Sequence, residues 1–198
     1  MLVGGTAAAL HAKHRASWDG DHVLIDLKDR YEKILHDLEH EAGWITKRRT
    51  PPVQILGHFH GVETGIRQLI RSRPLETVVV DGITIPTLAE MARIKGWLIV
   101  RRNATRDFLD FVALCDKLQG EAAGILPALE DLDSYYPQDQ GESTLRQLSR
   151  QLCEPKPWDL DRVDLQLYKE LRGPYRDWSY VQARCQEVAV SLMKEALR

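Results

Sequence analysis

Strand-type patterning is confined to the first 86 of the 198 residues, and this division constrains the fold more than any other feature. Short β-branched or apolar runs separated by turn residues fill the segment 44–69, and Asp81-Gly82 joins two further runs as a hairpin signal. Beyond Gly120 no strand signal recurs, and helical patterns are interrupted by prolines. The sequence predicts an α+β chain with an α/β part over residues 1–86 and a helical part over residues 87–198.

Helical spacing flanks and follows the strand segments. Residues 6–14 form an Ala-rich run, and residues 28–43 place apolar side chains three to four positions apart and end in glycine. Thr87 and Glu90 have the spacing of a capping box at the start of another helix. Residues 104–119 then put aromatic and aliphatic side chains on one side of a helix.

Composition favours a protein of the reducing cytoplasm without a membrane partner. The chain has no run of 18 apolar residues and no charged-then-apolar leader with a cleavage site. Its three cysteines are far apart and form no CxxC pair, which indicates neither a disulfide framework nor a thiolate zinc site.

The net charge of −2 hides a division along the chain. Residues 1–106 carry 16 Lys/Arg against 12 Asp/Glu, whereas residues 107–164 carry 5 against 13. Clustered cations in the first part indicate a face for a polyanion such as RNA, and a solvated surface is an equally good interpretation. The candidate RNA-binding residues are Lys47, Arg48, Arg49, Arg67, Arg71, Arg73, Arg101 and Arg106.

The opening stretch GGTAAALHAKHRASWDGD brings together two signals, each of them weak alone. Gly4 and Gly5 at a helix start offer unobstructed backbone N–H groups to a triphosphate. Asp19 and Asp21 would point to the same face of a strand, where two carboxylates can hold Mg²⁺ or Mn²⁺. Together they predict a cradle for a nucleotide and its metal ions.

This combination resembles the DNA polymerase beta-like nucleotidyltransferase superfamily and, within it, the AbiEii-like branch with the MenT-type toxins. Members of that branch look like GGTALxxxxxHRxSxDxD, and a later segment here, EMARIKGWLIVRRNATRDFLDF, is similar to their lysine-bearing and RxxxRDxxD-type helices. The tail, with PKPWDL, LYKELRG and a later DW, also resembles this branch. The resemblance implies a nucleotidyltransferase core with a mixed, mostly antiparallel sheet and flanking helices, followed by a helical bundle.

The resemblance also implies roles for single residues. Asp19 and Asp21 would bind metal, and Lys95 and Asp110 from the helical part would complete the catalytic set. Asp110 would support metal or Lys95, or position the incoming hydroxyl; for Asp107 a salt bridge to an arginine is the competing interpretation. The nucleotide-binding candidates are Gly4, Gly5, Thr6, Arg15, Ser17 and Arg102.

Several points stay open at this level. The third metal carboxylate is Glu63 or Asp110, or the site works with two. Arg15 could instead form a structural ion pair with an aspartate. Only three residues precede Gly4, fewer than in related toxins, which leaves open whether an N-terminal helix is missing from the sequence. Ser17 is a candidate phosphorylation site, because a phosphate there would add negative charge beside the carboxylates.

The function implied is that of a toxin in a toxin–antitoxin pair. Such an enzyme would transfer a nucleoside monophosphate from an NTP to RNA, at the 3′ end of tRNA, and would be neutralised by a cognate antitoxin protein. Two alternatives remain: the same chemistry on a protein or small-molecule hydroxyl, and a degenerate member that binds without catalysis.

Overall fold

The computed structural model describes residues 1–71, 73–119, 124–139 and 141–196; for residues 195 and 196 it describes the backbone alone. It divides into two compact units. The N-terminal unit comprises Met1–Leu10 and Ser17–Pro86, and the helical unit comprises His11–Ala16 and Thr87–Arg198. The units therefore differ from the predicted domains over residues 11–16, which belong with the helices.

The described residues of the N-terminal unit form six strands and two helices. The last two residues of the first helix, His11 and Ala12, are assigned to the helical unit. The helices and strands are α1 (Gly4–Ala12), β1 (Asp19–Leu24), α2 (Leu27–Glu39), β2 (Trp44–Thr50), β3 (Gln54–Phe59), β4 (Val62–Gln68), β5 (Thr77–Val80) and β6 (Ile83–Pro86). Four of the strands form a sheet in the order β1-β4-β3-β2. Strands β1 and β4 are parallel and the other neighbours are antiparallel, so the predicted mixed, mostly antiparallel sheet is confirmed.

Helix α2 covers one face of this sheet. Its spacing buries Leu27, Tyr31 and Leu35 against Ile55 of β3, and Leu24 of β1 packs against the same cluster. Side chains alternate along a strand, so the odd-numbered positions of β1 face away from α2. The helix ends at Glu39, a few residues earlier than its predicted glycine stop.

The chain start joins the sheet to the β5–β6 hairpin. The backbone N–H of Val3 donates to Asp21 O at 2.8 Å, and that of Leu2 donates to Thr84 O at 3.2 Å. The predicted hairpin turn is confirmed at Asp81-Gly82, where φ is positive at both residues (50° and 78°), as a type I′ turn requires. The first three residues are thus part of the fold.

The described residues of the helical unit form six further α-helices and three short 3₁₀ helices, the latter at Leu160–Arg162, Tyr168–Glu170 and Gly173–Arg176. The α-helices are α3 (Leu88–Arg102), α4 (Thr105–Leu118), α5 (Ile125–Leu129), α6 (Leu132–Tyr135), α7 (Thr144–Cys153) and α8 (Trp178–Ala196). As predicted, the Thr87 hydroxyl accepts a hydrogen bond from the Glu90 N–H at 3.2 Å at the start of α3. The predicted apolar side of α4 is confirmed by the complete burial of Phe108, Phe111 and Val112 among side chains of the other helices.

Candidate functional site

The glycine turn at the start of α1 lies directly against the second carboxylate of β1. Gly4 has φ +71°, a conformation that L side chains rarely adopt. A Cβ atom at this position would lie 3.0 Å from Asp21 Oδ2 and 3.1 Å from Asp21 Cβ. The absence of a side chain at Gly4 is therefore what lets the helix start and the carboxylate approach each other.

Hydroxyl groups connect the same helix to the first carboxylate. Thr6 Oγ1 lies 2.9 Å from Ser17 Oγ and also hydrogen-bonds to the backbone carbonyl of Asp19. The Ser17 hydroxyl donates to Asp19 Oδ1 at 2.8 Å. The two halves of the opening motif, separated by eleven positions in the sequence, thus meet within the N-terminal unit.

The carboxylates occupy the sheet face opposite α2. Asp21 Oδ1 lies 3.5 Å from Arg67 Nε, and the side chain of Asp21 remains 32% exposed. In the parallel ladder Asp19 pairs with Glu63, so the two residues are register neighbours on the same face. This register places Glu63 next to Asp19 across the ladder, and its role as a third metal carboxylate stays a prediction.

The donor set at this face suits a hard divalent cation. Asp19 and Asp21 offer oxygen ligands, and Mg²⁺ commonly binds through one or two carboxylates together with substrate phosphates. Within the described part of the chain, no three His, Cys, Asp or Glu side chains are grouped closely enough to hold a metal ion unaided. A two-carboxylate site that is completed by the substrate fits these residues.

Asp110 on α4 is the centre of a buried charge network in the helical unit. Arg15 Nε donates to its Oδ1 at 2.7 Å and Arg15 Nη2 to its Oδ2 at 3.0 Å. Lys95 Nζ lies 2.7 Å from Oδ2, and His14 Nε2 lies 2.8 Å from Oδ1. Burial alone would raise the pKa of this carboxyl, but the surrounding charges and hydrogen bonds, led by Lys95, hold it well below its usual range.

Asp107, one turn earlier on α4, extends the network. Lys95 Nζ lies 3.3 Å from Asp107 Oδ1, and Arg102 Nη2 donates to the same oxygen at 2.7 Å. The Lys95 side chain is only 2% exposed. The salt-bridge interpretation of Asp107 is thus what the structure shows.

These contacts change the roles expected of four residues. Arg15 and Arg102 were expected to bind nucleotide, but each forms a two-atom ion pair with a buried carboxylate. Lys95 was expected in the catalytic set, and its ammonium lies buried between two aspartates. Asp110 supports Lys95, as one alternative held, and both its oxygens are engaged by cations.

The candidate RNA-binding cations fall into three groups. Arg71 is buried and donates to the backbone carbonyls of Arg73 and Pro74, so its guanidinium supports the local fold, and its RNA-binding role stays a prediction. Arg67 and Arg49 are exposed but form ion pairs with Asp21 and Glu39 respectively. The other candidates are exposed: Lys47, Arg48, Arg73, Arg101 and Arg106.

Sequence reasoning missed how residues 14–16 are held. The Ala16 N–H donates to Lys169 O and the Arg172 N–H donates to His14 O, both at 2.8 Å. Lys169 and Glu170 both have positive φ, 42° and 53°. Only the tail segment LYKELRG, which resembles the toxin branch, carried a signal, and it lies more than 150 residues along the chain.

Comparison with known proteins supports the fold. No family model matches the chain. JHP933 from Helicobacter pylori is similar in structure with a TM-score of 0.54 and 18% identity, over 98% of this chain and 84% of that protein. A second H. pylori structure, named a putative nucleotidyltransferase, has a TM-score of 0.54 and 18% identity over 100% of this chain and 88% of its own. The predicted nucleotidyltransferase-like α+β fold is therefore confirmed.

Part of the chain is also similar to curated transport proteins. It is 37% identical over 137 residues to the mycolic acid-containing lipids exporter MmpL11 of Mycolicibacterium smegmatis. It is 36% identical over 139 residues to the heme uptake protein MmpL11 of Mycobacterium tuberculosis. The chain spans only 13% of the length of each. No helix among the described residues is long and apolar enough to cross a membrane.

Proposed function

We propose that this chain is a Mg²⁺-dependent nucleotidyltransferase of the AbiEii-like, MenT-type branch and acts as the toxin of a toxin–antitoxin pair. It transfers a nucleoside monophosphate from an NTP to an RNA acceptor, the 3′ end of tRNA, and so blocks translation. The observation that carries the proposal is the close approach of the Gly4 turn to Asp21, together with the hydrogen bonds from Thr6 through Ser17 to Asp19.

The reaction is an in-line exchange at the α-phosphorus of the NTP. The acceptor hydroxyl oxygen forms a new bond to this phosphorus, the bond to the β-phosphate oxygen breaks, and pyrophosphate leaves while the hydroxyl proton passes to solvent. Bound Mg²⁺, or Mn²⁺, would neutralise phosphate charge and align the reacting oxygens, held by Asp19 and Asp21 with Glu63 beside them. The N–H groups at the start of α1 would bind phosphate oxygens, since Gly4 and Gly5 leave them unobstructed.

The helical unit contributes positioning in this proposal. Arg15 and His14 lie between the Thr6 helix and Ser17 in the sequence, and both are anchored on Asp110. Lys95 holds the opposite oxygen of the same carboxylate. The network therefore fixes His14 and Arg15 within the helical unit, and Lys95 and Asp110 act there as positioning residues.

The proposal places the protein in the cytoplasm with a cognate antitoxin protein as its partner. Ser17 is the site at which modification would switch the enzyme off. Its hydroxyl already donates to Asp19 Oδ1 at 2.8 Å, so a phosphate on Ser17 would put about two negative charges beside the metal ligands. Mass spectrometry after incubation with the neighbouring gene product and ATP tests this, and an unchanged mass would refute it.

The deciding experiment is incubation of the purified chain with total tRNA, Mg²⁺ and each labelled NTP in turn. We expect RNA labelling that is abolished in Asp19→Ala and Asp21→Ala, whereas Glu154→Gln, on an exposed loop, serves as the matched control. Absence of labelling with every NTP, or labelling undiminished in Asp19→Ala, would refute nucleotidyl transfer to RNA. Label on protein or on a small molecule would instead favour a different hydroxyl acceptor.

A second candidate function, nucleotide binding without catalysis, is favoured by one observation. The cations expected in the catalytic set and at the nucleotide are engaged elsewhere: Lys95 and Arg15 with Asp110, and Arg102 with Asp107. Calorimetry distinguishes the two functions, because a binding protein would take up NTP and Mg²⁺ without turnover on any acceptor.

A further inference from the structure

An aromatic side chain is displayed on the surface of the helical unit beside the corner between α3 and α4. In the stretch PKPWD, Pro155 and Pro157 are buried, whereas Lys156 and Trp158 are exposed, and Trp158 is 61% accessible to solvent. A proline has a fixed φ, so the two buried prolines restrict the backbone of this short stretch. The fold thus presents the indole from an anchored backbone.

Several hydrogen bonds attach this stretch to the helix corner. The Trp158 N–H donates to Asn103 O at 3.1 Å, and Asn103 Nδ2 donates to Lys156 O at 2.8 Å. Asp159 Oδ1 accepts from both the N–H and the hydroxyl of Thr105 at 2.7 Å. The corner itself depends on the left-handed conformation of Asn103, with φ 46°. Trp158 is therefore fixed relative to the ends of two helices.

Three arginines lie on or near this stretch. The Arg162 guanidinium carbon lies over the Trp158 ring, 5.6 Å from its centroid. Arg101 and Arg106, both exposed, come two residues before and three residues after Asn103, in a corner segment 101–106 without an acidic residue. Of the two aspartates that follow Trp158, Asp159 binds the first turn of α4, and Asp161 is exposed. One face of the indole thus bears an arginine.

We infer that this surface, the Trp158 platform (Trp158 with Arg162, Arg101 and Arg106), binds an unpaired nucleotide of the RNA acceptor. Aromatic rings flanked by arginines bind single-stranded nucleic acid by base stacking and phosphate pairing, and stacking is tolerant of base identity. A protein partner would also use an exposed tryptophan, but residues 91–106 contain no acidic residue and display Arg101 and Arg106 on the surface, which favours a polyanion. The inference rests on the proposed function, because it assigns a binding surface to the same RNA substrate.

Fluorescence anisotropy with a labelled ten-nucleotide single-stranded RNA tests the platform independently of catalysis. Loss of one stacked base predicts that Trp158→Ala weakens binding by about 5- to 100-fold, whereas Trp158→Phe retains most of the affinity. Leu167→Ala, which removes an 82% exposed apolar side chain from the same unit, is the matched control and should bind as the parent does. Arg162→Ala should also reduce the slope of log K against log salt by about 0.7.

Two further measurements separate this inference from the proposed activity. If the chain labels RNA, Trp158→Ala should raise the KM for RNA while leaving kcat at saturating RNA unchanged. If it labels no acceptor but Trp158→Ala still loses RNA affinity, the platform stands and the proposed activity fails. Equal affinity of Trp158→Ala and the parent for the RNA overturns the platform, whether the surface then serves a protein partner or none.

Discussion

Replacement of Asp110 by asparagine tests whether the buried network holds the helical unit together. The substitution keeps the size of the side chain and one oxygen acceptor but removes the negative charge that Arg15 contacts through two nitrogens. It also leaves Lys95, which is 2% exposed, with Asp107 as its remaining carboxylate. Two cations that were matched in the parent protein would thus be held in an interior from which water is largely excluded.

The expected loss of stability is the lost attraction between Asp110 and its cations, reduced by the cost of burying a carboxylate that the variant avoids. At an effective dielectric constant near 20, two unit charges 4 Å apart attract by about 4 kcal/mol, and Asp110 meets two cations at closer range. Part of this attraction is offset because the variant no longer pays for burying a carboxylate. Breaking a buried ion pair by removing one partner typically lowers the free energy of unfolding by about 3–5 kcal/mol, and we expect Asp110→Asn to fall in this range.

Thermal and urea unfolding followed by circular dichroism provide the assay. For a protein of this size a loss of about 3 kcal/mol corresponds to a decrease in Tm of about 6–12 °C. Glu154→Gln is the matched control, because it removes a carboxylate whose pairing with Lys156 is exposed at both partners. If Asp110→Asn unfolds no earlier than Glu154→Gln, the network does not stabilise the unit and the reasoning is refuted.

The pH dependence gives the same prediction a second readout. The folded-state pKa of Asp110 is held well below its usual range, so its stabilising contribution is fully present above the unfolded-state pKa near 4 and is lost as pH falls toward the folded-state value. The difference in unfolding free energy between parent and Asp110→Asn should therefore shrink by about 1.4 kcal/mol per pH unit below about pH 4. A difference that stays constant down to pH 2.5 would contradict the assigned direction of the pKa.

Three further predictions concern single positions. Gly4→Ala should lower the free energy of unfolding by about 1–2 kcal/mol, measured by urea titration, because it places a side chain at positive φ and 3.0 Å from a carboxylate oxygen. A thiol reagent should modify exposed Cys153 rapidly in the folded protein but react slowly with Cys115 and Cys185. Burial raises the pKa of both of these thiols, that of Cys185 to about 12. Rapid modification of all three cysteines would contradict this prediction. Arg71→Ala should lower Tm while leaving RNA affinity nearly unchanged, because the Arg71 guanidinium binds backbone carbonyls. Unchanged Tm with weakened RNA binding would instead support the RNA-binding role of Arg71.

Local signals in the sequence were sufficient to predict the elements that depend on neighbouring residues. The turn at Asp81-Gly82 and the cap at Thr87 were predictable because their geometry is decided within four residues. The pairing of Asp19 with Asp21 on one strand face likewise follows from alternation along a single strand. These are the parts of the fold and the site for which a short window contains the whole physical cause.

The partners of the charged side chains could not be predicted in the same way. The sequence around a lysine on an amphipathic helix, such as Lys95, does not show whether its ammonium contacts solvent, phosphate or a buried carboxylate. In the structure it contacts the carboxylates of Asp107 and Asp110. The ion pair of Arg15 with Asp110 joins positions 95 residues apart, and helical periodicity alone does not place them together. Burial and pairing of charges depend on tertiary structure. The sequence therefore indicated which charged residues matter, such as Lys95 and Asp110, but it did not predict all of their contacts.

The two carboxylate systems differ in a way that bears on how the chain could work. Asp19 and Asp21 remain partly accessible and are held by hydroxyls, a glycine turn and one arginine at 3.5 Å, which suits groups that must also bind a metal ion. Asp110, in contrast, has both oxygens engaged by cations in a dry interior, where exchange of a partner would cost several kcal/mol. The proposed metal binding, which requires ligand exchange, is therefore assigned to the strand carboxylates, and a stabilising role is assigned to Asp110. Asp19→Asn should accordingly abolish metal binding, measured by calorimetry with Mn²⁺, while leaving Tm nearly unchanged. Asp110→Asn should lower Tm while leaving Mn²⁺ binding nearly unchanged. If both variants lose metal binding and stability together, this division of roles is incorrect.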